Sequence, residues 1–315
     1  MMTKRSGIAY APQKSLGRRI WKNRWAYLLF IPTALNFLIF HYAPMYGLRI
    51  AFQKFIPGLP MEMAKWVGLK NFTDFFSSYY AGEVIANTLI LSFYLILFGF
   101  PLPILLALVF NEVRNVTFKR ITQTISYIPY FISSVIIVGL VVLMLNPTDG
   151  IINNLIRAMG GEAISFLERP QWFRFVYVTM TLWKGTGFGA IVYLSAIAGV
   201  APELYEAAII DGAGRLKRVW HITVKEIMPT IMIMFIMRVG TILSIDWMEV
   251  LLMQNDVNSQ VSEILQTFVY KRGLINAEYG YATAVGLMMS LLSMTLMILA
   301  NQVVKRATDS EMSLF

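Results

Sequence analysis

The sequence contains no cysteine, only two histidines and few charged residues. Without cysteine there is no disulfide framework, no cysteine-based zinc site and no thiol nucleophile. Charged residues make up 14% of the 315 residues and hydrophobic residues 57%, whereas a soluble protein has about 25% charged residues. A chain of this composition cannot cover a water-facing surface. We therefore exclude a soluble enzyme, a disordered scaffold and a nucleic-acid-binding domain.

Sequence motifs for metal and nucleotide binding are also lacking. His41 and His221 lie far apart, and neither belongs to a His-Glu-x-x-His pattern. The dipeptide Gly-Lys does not occur, so the chain has no G-x-x-x-x-G-K-[ST] phosphate loop. We predict no catalytic residues, no metal and no cofactor bound by this chain, and the apolar segments contain no clustered nucleophiles or acids that a membrane-embedded enzyme would need.

Six long apolar segments dominate the sequence, and each can cross a hydrocarbon core about 30 Å thick. They are Trp25–Met45, Asn87–Phe110, Thr124–Leu145, Phe173–Val200, Pro229–Met253 and Tyr281–Val304. The first is too long for a signal-peptide core and no A-x-A site follows it, so we expect it to remain as a span. The sequence predicts an all-α membrane protein with six spans over residues 25–304, a basic tail over 1–24 and a second tail over 305–315.

The distribution of charge predicts the orientation of these spans. Basic residues concentrate in the N-terminal tail, in the loops after spans two and four, and after span six. With both termini in the cytoplasm, the whole net charge of +9 falls on the cytoplasmic side, as the positive-inside rule requires. We expect the basic tail to lie against anionic lipid headgroups of the bilayer, and we expect no nucleic-acid partner.

The cytoplasmic loop over residues 201–229 carries a distinctive pattern. Pro202 suits the first turn of a helix, where its missing N–H costs nothing. Glu203 and Glu206 are expected in the same first turn, where the helix dipole favours anions. Gly212 is expected to end this helix, and Pro229 to open the fifth span. On periodicity alone, the loop is either an ordinary amphipathic linker or a helix–turn–helix whose small side chains let another backbone approach.

The order of residues in this loop resembles the EAA signature of the membrane subunits of ABC-type importers. The matching residues are Glu206, Ala207, Ala208, Asp211, Gly212, Ala213, Ile222 and Pro229. Met228 replaces the usual leucine, and Trp220 stands where phenylalanine is common. In that family the loop is a coupling helix that docks into a cleft of the ATP-hydrolysing subunit. The resemblance implies that Glu206 contacts the ATPase, that Gly212 forms the turn and that Arg215 belongs to the coupling segment.

Features outside the loop resemble the sugar-importer branch of this family. They include Pro32 and Pro44 in the first span and the stretch Tyr46–Phe52 that follows it. The stretch Trp66–Phe72 is similar to the W-x-G-L-x-N-F element of maltose-type permeases. The resemblance covers the chain from about Trp25 onward. It is closest to a sub-group that handles oligosaccharides or polysaccharide fragments.

The resemblance implies a type I ABC importer permease in a bacterial cell membrane. It implies four kinds of partner: a second six-helix permease subunit, two ATPase subunits that bind ATP and Mg²⁺, an extracellular solute-binding protein, and a carbohydrate substrate. Two alternatives stay open at this point. The chain could be the permease of an importer for another solute, such as phosphate or an amino acid, or it could be a passive channel, which would not need the EAA-like loop.

Polar and aromatic residues in spans four and five are candidates for the substrate pathway, because charged side chains inside a membrane are costly and usually functional. The candidates are Tyr177, Trp183, Lys184, Tyr193, Arg238, Asp246, Trp247 and Glu249. We expect the glycines after Lys184 to break span four near mid-membrane. Asp246 and Glu249 should share a helical face, and Arg238 is a candidate for a gate or a contact with the partner permease. Alternatively, the aromatic rings are ordinary packing, the glycines allow close helix crossing, and the carboxylates are solvated at the outer mouth.

Overall fold

The computed structural model describes residues 21–307, and its regular structure is helical apart from one short ribbon. The α-helices of seven residues or more are α1 (Arg24–Phe37), α2 (Lys70–Phe76), α3 (Tyr80–Leu97), α4 (Pro101–Glu112), α5 (Val116–Tyr127), α6 (Ser134–Leu145), α7 (Ile151–Ala158), α8 (Pro170–Ala198), α9 (Pro202–Ile210), α10 (Met228–Gly240), α11 (Trp247–Met253) and α12 (Tyr279–Ala307). Shorter or irregular helical segments are Leu38–Tyr42, Ala43–Met45, Tyr46–Phe52, Met61–Met63, Ile128–Phe131, Phe166–Glu168, Arg215–Arg218, Val219–Thr223, Val224–Glu226, Ser259–Ser262, Leu265–Tyr270 and Lys271–Ile275.

Membrane-spanning candidates overlap five of the six predicted spans when each bent helix pair is taken as one span, and the predicted fifth span contains only a shorter apolar helix. Within residues 21–307, three helical segments are long and apolar enough to cross a membrane: Arg24–Phe52, Tyr80–Glu112 and Tyr279–Arg306. The helical run Val116–Phe131 meets α6 at 104°, α8 meets α9 at 72°, and α10 is a shorter apolar helix. The count of six spans itself stays a prediction, and the two predicted tails lie largely outside the described residues.

Residues 21–49 form a unit of their own. None of the side chains of α1 is buried within this chain, and a helix that is apolar all round is typical of a membrane span. At its start, the Arg24 guanidinium lies 5.1 Å from the ring centre of Trp21 and 5.5 Å from that of Trp25. Tryptophan and arginine at a helix end are typical of the membrane–water interface.

The second unit, residues 50–307, is organised around α8, which packs most extensively against α4. The largest cluster of buried side chains in this unit includes Phe173 and Tyr177 of α8, Leu91 of α3, Ile137 of α6 and Val250 of α11. Elements that are far apart in the sequence therefore share one core around α8. Any displacement of α8 must be accommodated by all of them.

The predicted break of span four at its glycines is wrong, because α8 is continuous from Pro170 to Ala198. A Cβ atom at Gly187 would lie 1.9 Å from the Ser126 carbonyl oxygen of α5, and one at Gly189 would lie 3.2 Å from Pro103 of α4. The glycines therefore allow neighbouring helices to approach the α8 backbone. This close packing offsets the roughly 0.5–1 kcal/mol by which each glycine disfavours a helix relative to alanine.

The predicted third span, Thr124–Leu145, is also not a single helix. The chain turns by 104° between Phe131 and Ser134. Pro129 lies in the irregular turn before the bend, where its ring and missing N–H disfavour a continuous α-helix. The side chain of Ser133 then caps α6, because its hydroxyl oxygen accepts a hydrogen bond from the Ile136 N–H at 3.5 Å.

The predicted fifth span, Pro229–Met253, consists of two helices. α10 ends at Gly240 and α11 begins at Trp247, with a non-helical turn between them. Arg238 and Asp246 therefore lie on either side of the break and not on one continuous helix. Asp246 is the residue that precedes the first turn of α11.

Side chains satisfy the backbone groups that this break exposes. The Thr241 hydroxyl donates to carbonyl oxygens in the last turn of α10 at 3.2 and 3.3 Å. The Ser92 hydroxyl of α3 donates to the Ile242 carbonyl at 2.5 Å, and the Tyr177 hydroxyl of α8 donates to the Asp246 carbonyl at 3.5 Å. Irregular backbone at membrane depth is tolerated only when protein or water satisfies it. The break in the fifth span is therefore stabilised by specific side-chain hydrogen bonds.

A short ribbon explains part of the Trp66–Phe72 motif. Strands β1 (Gln53–Lys54) and β2 (Lys65–Trp66) pair antiparallel, with Gln53 opposite Trp66. The Asn71 side chain, at the start of α2, donates to the carbonyl oxygens of Ala51 and Gln53 at 2.8 and 3.2 Å. The asparagine of the motif thus attaches α2 to the ribbon.

The packing at Gly187 leads to a test with a matched control. Gly187→Ala should lower the midpoint of thermal unfolding of the detergent-solubilised chain by about 3–8 °C, because overpacking costs about 1–3 kcal/mol. Gly185→Ala is the control, since no atom lies within 4 Å of a Cβ at that position. Equal midpoints for the two variants would contradict the close contact of α8 with α5.

Candidate transport pathway and coupling segment

Three of the candidate pathway residues meet in one charged cluster. Lys184 of α8 forms an ion pair and a hydrogen bond with Glu249 of α11. The Lys184 ammonium also lies 3.8 Å from an Asp246 carboxylate oxygen. The Ser134 hydroxyl, in the first turn of α6, lies 3.3 Å from Glu249, 3.4 Å from Asp246 and 3.4 Å from the Lys184 ammonium. The cluster thus joins α8 to the bends in spans three and five.

The members of this cluster differ in exposure. The Glu249 side chain is 1% exposed and that of Lys184 16%, whereas the Asp246 side chain is 44% exposed. A solvated position at the outer mouth therefore does not fit Glu249, although it fits Asp246. Because the cost of burying an isolated carboxylate is several kcal/mol, Lys184 is the partner that makes this position of Glu249 possible.

The aromatic candidates take different places. Tyr177 and Tyr193 are 0% and 3% exposed, so in this conformation neither ring has a face on which a sugar could stack. Trp247 stacks on Tyr270 with ring centres 4.8 Å apart. Trp183 borders an apolar cavity of about 500 Å³ that is lined by α6 and α8. For Tyr177 and Tyr193, ordinary packing is the description that fits the structure.

Arg238 lines a cavity of about 410 Å³ between α4, α8 and α10, which we call the Arg238 cavity. Tyr193, Phe100 and Tyr130 also border it. The side chain of Phe188 stacks on Tyr130 with ring centres 3.9 Å apart. Among the described residues, no carboxylate lies within ion-pair distance of Arg238, which contrasts with Lys184.

A second arginine near the start of α8 was not among the candidates. Arg174 lines a cavity of about 510 Å³ together with Tyr94, Phe98 and Phe175, which we call the Arg174 cavity. The Arg174 guanidinium donates to the Asn87 side-chain oxygen at 2.8 Å, while its Nε atom is buried without a hydrogen-bond partner. Arg174 is the second residue of the predicted fourth span, and the polar Asn87 at the start of the predicted second span was the only sign of a partner for it.

A second polar network was also missed. The Lys271 ammonium lies 2.5 Å from a Glu263 carboxylate oxygen and donates to the Gln254 side-chain oxygen at 2.6 Å. The Thr267 hydroxyl donates to Glu263 at 3.1 Å. These residues lie between the predicted fifth and sixth spans, and the sequence offers no spacing that would pair them.

The coupling segment has the predicted helix and turn. α9 begins at Pro202, and Asp211 follows its last residue. Gly212 has a φ of +73°, the left-handed conformation that glycine adopts at little cost. The Ala213 N–H donates to the Ala208 carbonyl at 2.8 Å and the Gly212 N–H to the Ile209 carbonyl at 3.0 Å. These two bonds are a Schellman motif, which ends the helix at a defined residue.

The outer surface of this segment carries exposed apolar side chains, and nothing among residues 21–307 covers them. Ile210 and Leu216 are each 86% exposed, and Trp220 is 66% exposed. Glu206, Ala207 and Arg215 are also exposed. The Tyr205 hydroxyl, on the inner side, lies 2.9 Å from the Thr223 hydroxyl and ties α9 to the segment that leads into α10. Pro229 lies in the first turn of α10, while Ile222 is partly buried.

Comparison with known proteins identifies the class to which this fold and site belong. Residues 99–309 match the family of binding-protein-dependent transport system inner membrane components. The matched region includes the bends, the charged cluster and the coupling segment. The chain belongs to this family of membrane permease components, which act in transport.

Individual relatives are similar over nearly the whole chain. Protein LplB of Bacillus subtilis is 44% identical over 90% of both chains. The polygalacturonan/rhamnogalacturonan transport system permease protein YteP of the same organism is 41% identical over 93% of this chain and 92% of its own. A chain in the crystal structure of a bacterial alginate ABC transporter, in complex with an alginate pentasaccharide-bound periplasmic protein, has a TM-score of 0.87 and 37% identity. That match covers 96% of this chain and 100% of the other.

The ion pair in the cluster leads to a double-mutant test. Lys184→Met should destabilise the solubilised chain by about 3–5 kcal/mol, because it leaves Glu249 buried without its cation. Adding Glu249→Gln should restore much of the loss. Thermal unfolding of the two single variants and the double variant measures the coupling.

Lys70→Met is the matched control for this test. It removes an exposed ion pair in which Lys70 lies 3.0 Å from Asp74. Such pairs contribute about 0–1 kcal/mol, so the variant should unfold close to the wild-type temperature. If the effects of Lys184→Met and Glu249→Gln simply add, the two side chains do not stabilise one another.

Proposed function

We propose that this chain is the membrane-spanning permease subunit of an ATP-driven ABC importer for carbohydrates, namely oligosaccharides or polysaccharide fragments. It contributes half of the translocation pathway and couples it to separate ATPase subunits. Membership of the permease family and the near full-length similarity to polysaccharide permeases support this proposal. Both termini lie in the cytoplasm of a bacterial cell, and six spans cross the cell membrane.

The observation that carries the proposal is the exposed coupling segment attached directly to α8. Only Gly199–Ala201 separate α8 from α9, and the two helices meet at 72°. The exposed apolar side chains of Ile210 and Leu216 are the kind of surface that a protein cleft covers. An ordinary linker between spans would not need a capped helix with its apolar side chains turned outward.

This arrangement suggests how ATP drives transport. When the ATPase subunits close on ATP and Mg²⁺, they move α9, and α8 moves with it because the connection is short. The other spans follow since they share a core with α8. ATP binding then shifts the balance between an inward-open and an outward-open state through its different affinity for the two. As a result, the pathway residues on α8 and α11 have a different environment in each of the two states.

The remaining partners complete the assembly. We propose a heterodimer with a second six-helix permease, two ATPase subunits, and an extracellular solute-binding protein that delivers the sugar. In the related alginate structure the transporter is in complex with a substrate-bound periplasmic protein. All nucleotide chemistry belongs to the ATPase partners.

Purification from native cells tests the proposal. The tagged chain is extracted in mild detergent, and mass spectrometry identifies the proteins that accompany it. We expect a P-loop ATPase and a second six-span chain, and loss of oligosaccharide uptake when the gene is deleted. A chain that purifies alone at native expression, with uptake unchanged by the deletion, would contradict the proposal and favour a passive channel.

Gly212→Pro tests the coupling segment directly. Proline cannot adopt the φ of +73° found at Gly212, so the end of α9 must rearrange. We expect the variant to reach the membrane at normal levels but to lose uptake and stimulated ATPase activity. Gly214→Ala is the control, because its φ is −66° and nothing lies within 4 Å of an added Cβ. Normal uptake by Gly212→Pro would contradict a coupling role for this turn.

A further inference from the structure

The Arg174 and Arg238 cavities are neighbours along one side of α8. Leu182 lines both of them. Their α8 lining extends from Gln171 to Tyr193, which is about 33 Å of helix at ~1.5 Å per residue. This length is close to the ~30 Å thickness of a hydrocarbon core. The two cavities together therefore follow α8 across the depth of a membrane.

The lining of these cavities carries cations without anions. Arg174 and Arg238 are the charged residues that border them, and neither cavity is lined by an aspartate or a glutamate. Among residues 21–307, no carboxylate lies within ion-pair distance of either guanidinium. The nearby cluster differs in this respect, since the Lys184 charge is balanced by Glu249. The two arginines supply uncompensated positive charge along the side of α8.

An uncompensated cation at membrane depth requires an explanation. Arginine facing acyl chains is costly, and such residues usually line a polar path or face protein. The buried Nε atom of Arg174 has no partner, although the Asn87 side chain holds the other end of the guanidinium. The second terminal nitrogen of Arg174 makes no hydrogen bond to the described residues, so it can donate to a carboxylate, an anion that guanidinium groups bind well.

The rest of the lining indicates what carries the carboxylate. The rings of Tyr94, Phe98 and Phe175 border the Arg174 cavity, and those of Phe100 and Tyr130 border the Arg238 cavity. Aromatic faces stack on the C–H faces of sugar rings, while hydroxyl and amide groups such as Gln171 pair with sugar hydroxyls. A ligand that suits both the rings and the arginines is a chain of sugars that bear carboxyl groups.

We infer that the groove formed by the Arg174 and Arg238 cavities is a track for acidic, uronate-containing oligosaccharides, in which the two arginines bind sugar carboxylates. The inference rests on the proposed import of carbohydrates and specifies their charge. It assigns Arg174 and Arg238 as specificity-determining residues. Lys184 has no such role, because its charge is already neutralised. One of the related structures belongs to a transporter of the acidic polysaccharide alginate.

The test compares two probes that differ only in charge. One is an α-1,4-linked tetragalacturonate, and the other is the same tetramer with its carboxyl groups reduced to hydroxymethyl groups. The importer is purified from native cells with its partner subunits, reconstituted in proteoliposomes and supplied with its binding protein. We expect the wild type to take up the charged tetramer faster than the neutral one.

Variants at the arginines separate charge recognition from folding. Arg174→Gln and Arg238→Gln should each lower uptake of the charged tetramer by about tenfold or more, while uptake of the neutral tetramer stays within about twofold of wild type. Arg174→Lys and Arg238→Lys keep the positive charge, so they should lower uptake of the charged tetramer less than the glutamine variants do. Arg120→Gln removes an exposed arginine of α5 away from both cavities and should leave both rates unchanged.

The possible outcomes have distinct meanings. The acidic track would be overturned if the glutamine variants lost uptake of both tetramers equally, or if the wild type took up the neutral tetramer as fast as the charged one. Either result would leave the carbohydrate function standing. A wild-type assembly that takes up neither tetramer would overturn the acidic track, whereas the carbohydrate function is tested by the loss of oligosaccharide uptake on gene deletion. Selective loss of the charged probe at Arg174 and Arg238, with Arg120→Gln unchanged, supports the track.

Discussion

The arrangement of the membrane domain depends on the buried ion pair between Lys184 and Glu249. A lysine in the middle of an apolar helix must have its charge compensated, and the compensating carboxylate comes from α11. That geometry requires the fifth span to break, since α10 and α11 would otherwise form one continuous helix. The bend in the third span brings Ser134 to the same point. Two interrupted spans thus meet on one continuous span, and the Thr241, Ser92 and Tyr177 hydroxyls satisfy the backbone that the break exposes.

The same arrangement connects the charged centre of the protein to its exposed end. α8 carries Lys184 at its middle, borders both arginine-lined cavities and leads within three residues into α9. Because Gly187 lets α5 contact its backbone directly, α8 is packed closely against α5. A rigid central helix with a capped, outward-facing segment is well suited to transmit movement. In the proposed track, the unneutralised Arg174 and Arg238 bind the substrate, whereas the neutralised Lys184 stabilises the fold.

Several expectations from the sequence met different outcomes. The start of α9 at Pro202, its end at Gly212 and the apolar character of all six span regions could be predicted, because each depends on neighbouring residues. The break expected in span four was wrong, since glycine next to lysine has the same pattern whether it bends a helix or admits a neighbour. The single helices expected for spans three and five were wrong for a related reason. An apolar segment has the same hydrophobic composition whether its helix is straight or broken, and only Pro129 was a local sign of the bend in the third span.

The sequence alone determined the membrane character and the capped helix before Gly212, because composition, hydrophobic length and capping act over a few residues at a time, and its resemblance to the EAA signature indicated the class of protein. It also identified Lys184, Asp246 and Glu249 as charged residues in predicted spans, where burial of a charge is costly. Only the tertiary structure decided that these three belong to one cluster, that Tyr177 and Tyr193 are packed inside, and that Arg174 shares a groove with Arg238. Those relations join residues tens of positions apart, and side chains at such separations meet only when the helices have packed.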